Sequence, residues 1–420
     1  MQINQERLHQ SIAELKKIGA TPEGGISRLA GTQAELQARQ WLLQTSIARG
    51  LTAKEDAAGN IIIQIGPSHG ASVVTGSHLD SVPNGGYLDG ALGVLCGLEA
   101  MTVLNELNIP LKRPLEVIAF FDEEGRFGSM IGSKALAGKL SIDDLKNAKN
   151  EQDKSLEDFL HARNSSIDAV LELRRTQEDL YAFIELHIEQ GPVLEANRHS
   201  IGIVEHITGI IRWRARFDGE ANHAGTTPMS IRRDAFQGVV QFGQVLTKIC
   251  QEHGADTTRY TIGRVVLKPN YVGVIPQIAE FTLDLRDVSK DRLSGLNQRL
   301  IDAAQSIAQT LNLTFTVDVH GQHQPTTCNA RLSDLIETSA QAHDYTNMRM
   351  LSGALHDAAS MAHLGPVGMI FVPSTGGVSH STKEFTEPIE IERGAQVLLD
   401  CLHTLSTESK WNELSGTESI

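Results

Sequence analysis

The chain has 420 residues, 40% of them hydrophobic and 21% charged, a composition typical of a globular protein large enough for two domains. It contains no run of about eighteen or more apolar residues, which argues against a membrane-spanning helix and a membrane partner. The formal net charge of −14 would repel a phosphate backbone, so the sequence also argues against a nucleic-acid partner.

The N-terminus predicts a cytoplasmic protein, and the cysteines limit the kind of metal site. The opening residues 1–7 have neither the basic start nor the apolar centre of a secretion signal. The four cysteines are far apart and form no CxxC pair, which argues against a disulfide framework and a thiolate zinc site. Any bound metal is therefore expected to use histidine and carboxylate ligands.

The first half of the chain is predicted to form an α/β domain. The apolar periodicity predicts helices over 5–17, 34–49 and 90–107, and strands over 60–65, 72–77 and 115–121. This strand-helix-strand alternation is typical of an α/β sheet. Residues 141–180 are rich in Asp, Glu, Lys and Ser, and we interpret them as a solvated excursion rather than core, with one helix over 155–161.

The order of predicted elements changes after residue 208. We predict strand 210–217, helix 232–251, strands 260–267 and 278–285, helix 291–311 and strand 313–319. This β-α-β-β-α-β order indicates a ferredoxin-like unit, which we interpret as a second domain inserted into the first.

The α/β pattern returns after the inserted unit. We predict helices over 332–342, 357–363 and 391–405 and a strand over 367–372, while the Ser/Thr/Glu-rich tail, 406–420, is predicted to be disordered. The predicted domains are therefore a discontinuous one, 1–208 with 322–420, and an inserted one, 209–321.

Histidines and acids follow several predicted strands, where open α/β sheets bind ligands. His78 ends one strand, and it can bind a metal through one ring nitrogen while Asp80 accepts the other N–H. Taken alone, a histidine packed against Asp80 is the commoner case. Asp89 follows a glycine-rich turn, where it is either a helix N-cap or a carboxylate that bridges two cations.

Three adjacent acids, Asp122, Glu123 and Glu124, follow an apolar strand. Packed like charges raise one another's pKa unless cations are present. One carboxylate can ligate a metal while its neighbour takes the proton of a metal-bound water, as metal-assisted hydrolysis requires. The alternative is a solvated acidic loop.

His187 and His380 follow two further predicted strands, and each histidine alone is more often structural. The conjunction is more specific than its parts. Three imidazoles, one bridging carboxylate and one terminal carboxylate suit two zinc or manganese ions. The predicted metal ligands are His78, Asp89, Glu124, His187 and His380.

Six motifs, spread in order over about residues 20–405, make the chain recognisable. They are SHLD at 77–80, NGGYLDG at 84–90, DEEG at 122–125, ELHIEQG at 185–191, NHAGTTPM at 222–229 and GVSH at 377–380. The chain resembles the M20 metallopeptidase superfamily, in the branch of N-carbamoyl-L-amino acid hydrolases, allantoate and ureidoglycolate amidohydrolases and β-ureidopropionases. The resemblance implies a homodimer, in which a zinc-exopeptidase-like catalytic domain is covered by a lid that carries the dimer contacts.

The resemblance also implies residue roles. It makes the five residues above the ligands of two divalent ions, with Asp89 bridging, Glu123 the general base and Asp80 a further catalytic residue. His223 would stabilise the oxyanion and contact substrate.

Other positions match the substrate-binding residues of the family. These are Gln190, Asn270, Arg286, Gly353 and His356, and the forked guanidinium of Arg286 suits a substrate carboxylate. Without the resemblance, the residues favour a turn role for Asn270 and a surface ion pair for Arg286, and a satisfied loop histidine is the plain reading of His223. Leu355 departs from the family, where a smaller residue often stands, and would narrow or reshape the pocket.

The function so implied is hydrolysis of a C–N bond of an N-carbamoyl amino acid or related ureido acid, with release of ammonia and carbon dioxide. The alternatives are allantoate or ureidoglycolate hydrolysis, and a dipeptidase or aminoacylase of the same superfamily, which would release no ammonia. A non-catalytic metal- or ligand-binding relative is expected to have lost the base, yet Glu123 is present.

Overall fold

The computed structural model of the protein describes residues 1–408, which fall into two compact units. One unit comprises Met1–Glu205 and the chain from Cys328 onward, and the other is His206–Thr327. The roles of catalytic domain and lid that the sequence suggests stay predictions. Of the predicted disordered tail, residues 409–420 lie outside the described residues, whereas 406 and 407 end the last helix.

The helices are α1 Gln5–Leu15, α2 Gln33–Ala48, α3 Ala91–Glu106, α4 Ile131–Leu136, α5 Ile142–Asn147, α6 Leu156–His161, α7 Ile167–Leu171, α8 Val193–Asn197, α9 Ala235–His253, α10 Lys290–Thr310, α11 Ala330–Ala342, α12 Asp357–Met361 and α13 Pro388–Thr407. The strands are β1 Thr52–Glu55, β2 Ile61–Ile65, β3 Ser72–His78, β4 Leu115–Phe120, β5 Leu180–Ile188, β6 Ile201–Ile207, β7 Gly209–Asp218, β8 Arg259–Thr261, β9 Val265–Lys268, β10 Ile278–Asp287, β11 Thr314–His323, β12 Thr326–Thr327, β13 Asn347–Ser352 and β14 Val367–Val372. Within the described part of the chain, no helix has the length and apolarity needed to cross a membrane.

The first unit is built on a mixed sheet with strand order β1-β2-β4-β3-β5-β14-β6, and β13 pairs with β6. Its central strands β4, β3, β5 and β14 are parallel to their neighbours within this group. Every residue of these four strands is buried, as expected of parallel strands covered on both faces. Their carboxyl ends lie at one edge of the sheet, where an open α/β sheet binds its ligands.

Helix α3 forms the centre of the apolar core on the sheet. All its residues from Ala91 to Leu104 are buried, because the sequence there is apolar on every side. It packs against β3, β5 and α13. Because α3 begins directly after Asp89 and Gly90, the core fixes the position of the turn that carries Asp89.

The interpretation of residues 141–180 as a solvated excursion is wrong. Helices α5, α6 and α7 bury a leucine, isoleucine and valine set that joins Phe121 and Phe127 in a separate apolar cluster: Leu145, Leu156, Leu160, Ile167 and Val170. The Phe159 ring stacks on the Phe121 ring at a centroid distance of 5.0 Å. The apolar positions are too sparse among the charged ones to show a helical period, so sequence pattern missed them. The segment supports the loop that follows β4.

The second unit is an antiparallel sheet, β11-β7-β10-β8, with β9 also paired to β10. The predicted β-α-β-β-α-β order is present, except that the predicted strand 260–267 is divided into β8 and β9. Helices α9 and α10 pack against the sheet and enclose a core that includes Trp213, Phe217 and Phe281. The alternating burial of β10 shows that only one face of that strand is buried.

Candidate metal centre and active site

The five predicted ligands converge in the first unit. His78 ends β3, His187 is in β5, Glu124 follows β4, and Asp89 and His380 lie in the loops after β3 and β14. Four neighbouring parallel strands thus deliver all five side chains to one edge of the sheet.

The ligand atoms form two groups that share Asp89. Within each group they lie within 4.8 Å of one another: His78, Asp89 and His187 in the buried group, and Asp89, Glu124 and His380 in the more exposed one. Asp89 Oδ1 is 3.2 Å from His187 Nε2, and Asp89 Oδ2 is 3.0 Å from His380 Nε2. Each oxygen of Asp89 therefore faces a different group, which is the arrangement a bridging carboxylate needs.

A glycine at position 90 lets the main chain that follows Asp89 lie close to the His78 ring. Gly90 has φ +65°, and a Cβ there would collide with the His78 ring. The alternative role of Asp89 as a helix N-cap is not observed, because Gly90 is the N-cap of α3 and no side chain caps that helix.

The three acids after β4 have separate tasks. Asp122 has φ +57° and accepts hydrogen bonds from the main-chain N–H groups of Arg126, Phe127 and Gly128 at 2.7, 2.9 and 2.9 Å. It therefore folds the loop. Glu124 belongs to the more exposed group, while Glu123 belongs to neither and places Oε2 3.6 Å from His78 Nε2. A carboxylate beside the ligands but outside both groups suits a base.

Asp80 holds its neighbours differently from the sequence prediction. The Nδ1–H of His78 donates to the main-chain oxygen of Asp80 at 3.0 Å, whereas the Asp80 carboxylate is 3.7 Å away. The carboxylate instead accepts the main-chain N–H groups of Glu123 and Glu124 at 3.4 and 3.1 Å. Asp80 thus fixes the tautomer of His78 through its main chain and positions the Glu123–Glu124 loop through its side chain.

The acids of the site fit a pair of divalent cations. Burial raises the pKa of Asp80 to about 6 and, together with Asp89, that of Glu124 to about 8. Burial and the carboxylates of Asp357 and Glu124 raise the pKa of Glu123 well above its usual range. Glu124 Oε1 is a buried oxygen with no hydrogen-bond partner in the described structure. Cations would relieve both the repulsion and this unsatisfied acceptor.

The pKa values of the three histidines also fit the binding of positive charge at this site. Burial lowers the pKa of His78 to about 4, which keeps its ring neutral, as a ligand must be. Hydrogen bonding to Asp89 raises the pKa of His380 to about 9, and it overcomes burial to raise the pKa of His187 to about 9. Asp89 therefore attracts positive charge to both groups, and protons and metal ions compete for these two rings.

The predicted substrate residues of the first unit lie near these groups. Gln190, at φ +58°, donates through Nε2 to both oxygens of Asp89, at 3.1 and 3.2 Å. His356 is buried, with its Nε2 2.8 Å from Ser352 Oγ and its ring centroid 4.5 Å from that of His187. Gly353 is exposed, with open space beyond its Cα. The structure thus places Gln190 and His356 against metal-ligand candidates.

The other predicted residues are in the second unit. His223 Nδ1 accepts the main-chain N–H groups of Gly225 and Thr226 at 3.0 and 3.2 Å, which leaves Nε2 to carry the proton. Asn270 is exposed with φ +56°, a conformation that asparagine tolerates in turns. Their substrate contacts stay predictions.

Arg286 Nε donates to Asp284 Oδ1 at 2.6 Å, and Arg212 Nε donates to Asp284 Oδ2 at 3.0 Å. Sequence inspection missed Arg212, which lies opposite Asp284 in the register of β7 and β10. Two guanidinium groups thus share the carboxylate of Asp284.

Comparison with known proteins gives a consistent result. The model of peptidase family M20/M25/M40 matches residues 74–404. The chain is 38% identical over 401 residues to an N-carbamoyl-L-amino acid amidohydrolase of Geobacillus stearothermophilus, covering 94% of this chain and 97% of that protein. It is 33% identical over 396 residues to an allantoate amidohydrolase of Bacillus subtilis (strain 168), covering 93% and 95%. A crystal structure of a hydantoinase/carbamoylase family amidase from Burkholderia multivorans superposes with a TM-score of 0.88 at 34% identity, covering 97% and 99%.

Proposed function

The chain belongs to peptidase family M20/M25/M40, and on that premise we propose that it is an amidohydrolase that cleaves the carbamoyl C–N bond of an N-carbamoyl-L-amino acid or a related ureido acid. The observation that carries the proposal is Asp89, whose two oxygens face two separate groups of ligand atoms beside the unligated Glu123. The relatives named above act on this class of substrate according to their names, which supports the assignment.

The proposed cofactor is two divalent ions, zinc or manganese. His78, Asp89 and His187 would hold one ion, and Asp89, Glu124 and His380 the other. When bound, such ions supply Lewis acidity that activates water and polarises the substrate carbonyl.

Glu123 is the residue that we propose transfers the proton. Glu123 is buried, is not needed as a ligand, and has its pKa raised by burial, so it can take a proton from water and return it to the departing nitrogen. The Asp80 carboxylate, which accepts the main-chain N–H of Glu123, holds Glu123 in place for both transfers.

The second unit is proposed to bind and stabilise the substrate. His223, with its proton on Nε2, suits donation to an oxyanion, and Arg286 suits a substrate carboxylate. Arg212 shares the Asp284 carboxylate with Arg286 and so helps to position it. Hydrolysis of the carbamoyl group would release ammonia, carbon dioxide and the amino acid.

A homodimer in the cytoplasm is part of the proposal. Four large apolar side chains of the second unit are strongly exposed, which supports an interface there: Met229, Ile231, Tyr271 and Val272. All four cysteines are buried free thiols, which fits a reducing compartment. Light scattering coupled to size exclusion measures the mass; a monomer at micromolar concentration would contradict the dimer.

An ammonia-release screen tests the proposed activity. Chelated protein and protein reloaded with Mn²⁺ or Zn²⁺ are incubated with N-carbamoyl-L-amino acids, allantoate, ureidoglycolate and β-ureidopropionate. We expect metal-dependent ammonia release from one class, and the class identifies the substrate. Release of an amino acid from dipeptides or N-acyl amino acids without ammonia would instead assign the peptidase or aminoacylase alternative.

A further inference from the structure

Glu384 is a buried carboxylate between two segments that carry metal-ligand candidates. Its Oε1 accepts the main-chain N–H groups of Leu88 and Asp89 at 3.0 and 3.1 Å. Its Oε2 accepts the hydroxyl of Ser379 at 2.9 Å, next to His380. Only 2% of Glu384 is exposed, so these bonds are shielded from water. One side chain thus holds the main chain of Asp89 and the neighbour of His380.

These contacts close a ring of hydrogen bonds around Asp89. Gln190 Nε2 donates to Ser379 Oγ at 3.3 Å and to the two Asp89 oxygens at 3.1 and 3.2 Å. The ring therefore runs from the Asp89 N–H through Glu384, Ser379 and Gln190 back to the Asp89 carboxylate. A carboxylate held at its main chain and at its oxygens has little freedom to rotate, and bridging two ions requires one fixed rotation.

The glycine-rich turn is packed against the same side chain. A Cβ at Gly86 would collide with Glu384 Oε1, so glycine at this position lets the turn fold around the glutamate. Glu384 itself is in neither group of candidate ligands. Its place in the structure is behind the ligands rather than among them.

We propose that Glu384 is a positioning residue, acting as a hydrogen-bond acceptor, for the ion held by Asp89, Glu124 and His380. The inference rests on the proposed two-metal function. Its contacts reach two of the three ligands in that group, Asp89 directly and His380 through Ser379. In the group of His78, Asp89 and His187 they reach only Asp89. Loss of Glu384 therefore weakens one ion more than the other.

Calorimetric titration of the full-length, chelator-treated protein with Mn²⁺ tests this. Wild type is expected to bind two ions. In Glu384→Ala we expect the Kd of one ion to rise about 10–100-fold, as for other residues that support metal ligands, while the other stays within about threefold. Glu384→Gln keeps an amide oxygen that can accept the two N–H groups. The Kd of the ion that Glu384→Ala weakens should therefore stay within about fivefold of wild type in Glu384→Gln.

Two further variants complete the design. Glu387 is an exposed glutamate in the same segment and caps no N–H group, so Glu387→Ala should leave both ions unchanged. Ser379→Ala removes the Oε2 contact together with the bond from Gln190 Nε2, and it should weaken the same ion about threefold to tenfold. Circular dichroism shows whether each apo variant is folded, and if Glu384→Ala is not, Ser379→Ala and Glu384→Gln decide.

The outcomes distinguish the positioning role of Glu384 from the proposed two-metal function. Unchanged affinity for both ions in Glu384→Ala, equal weakening of both, or a Gln variant as weak as Ala would overturn the positioning role. If Glu384→Ala does not fold, unchanged binding in Ser379→Ala overturns it. A wild-type protein that binds no divalent ion would instead refute the proposed function.

Discussion

Glu123→Gln is the most informative substitution in the proposed site, because it removes only the ability to take a proton. The amide has the same shape as the carboxylate, and the loop around it is held by main-chain contacts to Asp80 and Met130 that the change leaves intact. Glu123 is in neither group of candidate ligands, so both ions should remain bound. Burial, Asp357 and Glu124 all raise the pKa of Glu123 and so oppose its ionisation, and a neutral amide there should not weaken the metal-free fold.

The expected loss follows from the role. A positioned general base contributes about 10²–10⁴-fold to the rate. At about 1.4 kcal/mol for each factor of ten, this is about 3–6 kcal/mol of barrier. We therefore expect kcat for ammonia release to fall by at least about 100-fold while KM changes little.

The assay combines rate and metal content. Ammonia release is measured on the best substrate of the screen, and bound metal by mass spectrometry of the dialysed protein. Glu124→Gln is the matched contrast, since it removes a proposed ligand and should release one ion. Near wild-type activity in Glu123→Gln would refute the base assignment, and loss of metal from it would make Glu123 a ligand.

Three further predictions concern Arg286, Asp122 and Gly90. Arg286→Ala should raise KM for anionic substrates about tenfold or more at little cost in kcat, because a charged hydrogen bond is lost. The control is Arg264→Ala, at an exposed arginine. An unchanged KM in Arg286→Ala would show that Arg286 does not bind the substrate. Asp122→Ala leaves three N–H groups without their acceptor, so it should lower the free energy of unfolding, measured by urea denaturation, by about 3 kcal/mol. The control is Asp143→Ala, at an exposed aspartate. If Asp122→Ala lowers the free energy of unfolding no more than the control does, the loop-folding role is contradicted. Gly90→Ala would push a Cβ into the His78 ring at a positive φ. We expect the affinity for Mn²⁺, measured by titration, to fall at least about tenfold. If both ions bind with wild-type affinity, His78 is not a metal ligand.

Local pattern predicted much of the fold. The buried strand β14 was predicted at its observed bounds, since a short apolar run between turn residues has few alternatives. The long amphipathic helices were predicted within a few residues of α9, α10 and α11. The prediction failed for residues 141–180, because isolated leucines among charges show no period even though they are buried together. It also missed the division of β8 from β9.

The sequence by itself determined the inventory of the site: which strands end in histidine or acid, and that these residue types suit two divalent ions. Only the tertiary structure decided their partners. The parallel order β4-β3-β5-β14 differs from chain order, and it sets which ligands meet around Asp89. The main-chain role of Asp80, the loop-folding role of Asp122 and the contacts of Glu384 arise in the same way. Periodicity records how each segment is buried, whereas hydrogen bonds between distant segments exist only once strand order has placed those segments side by side.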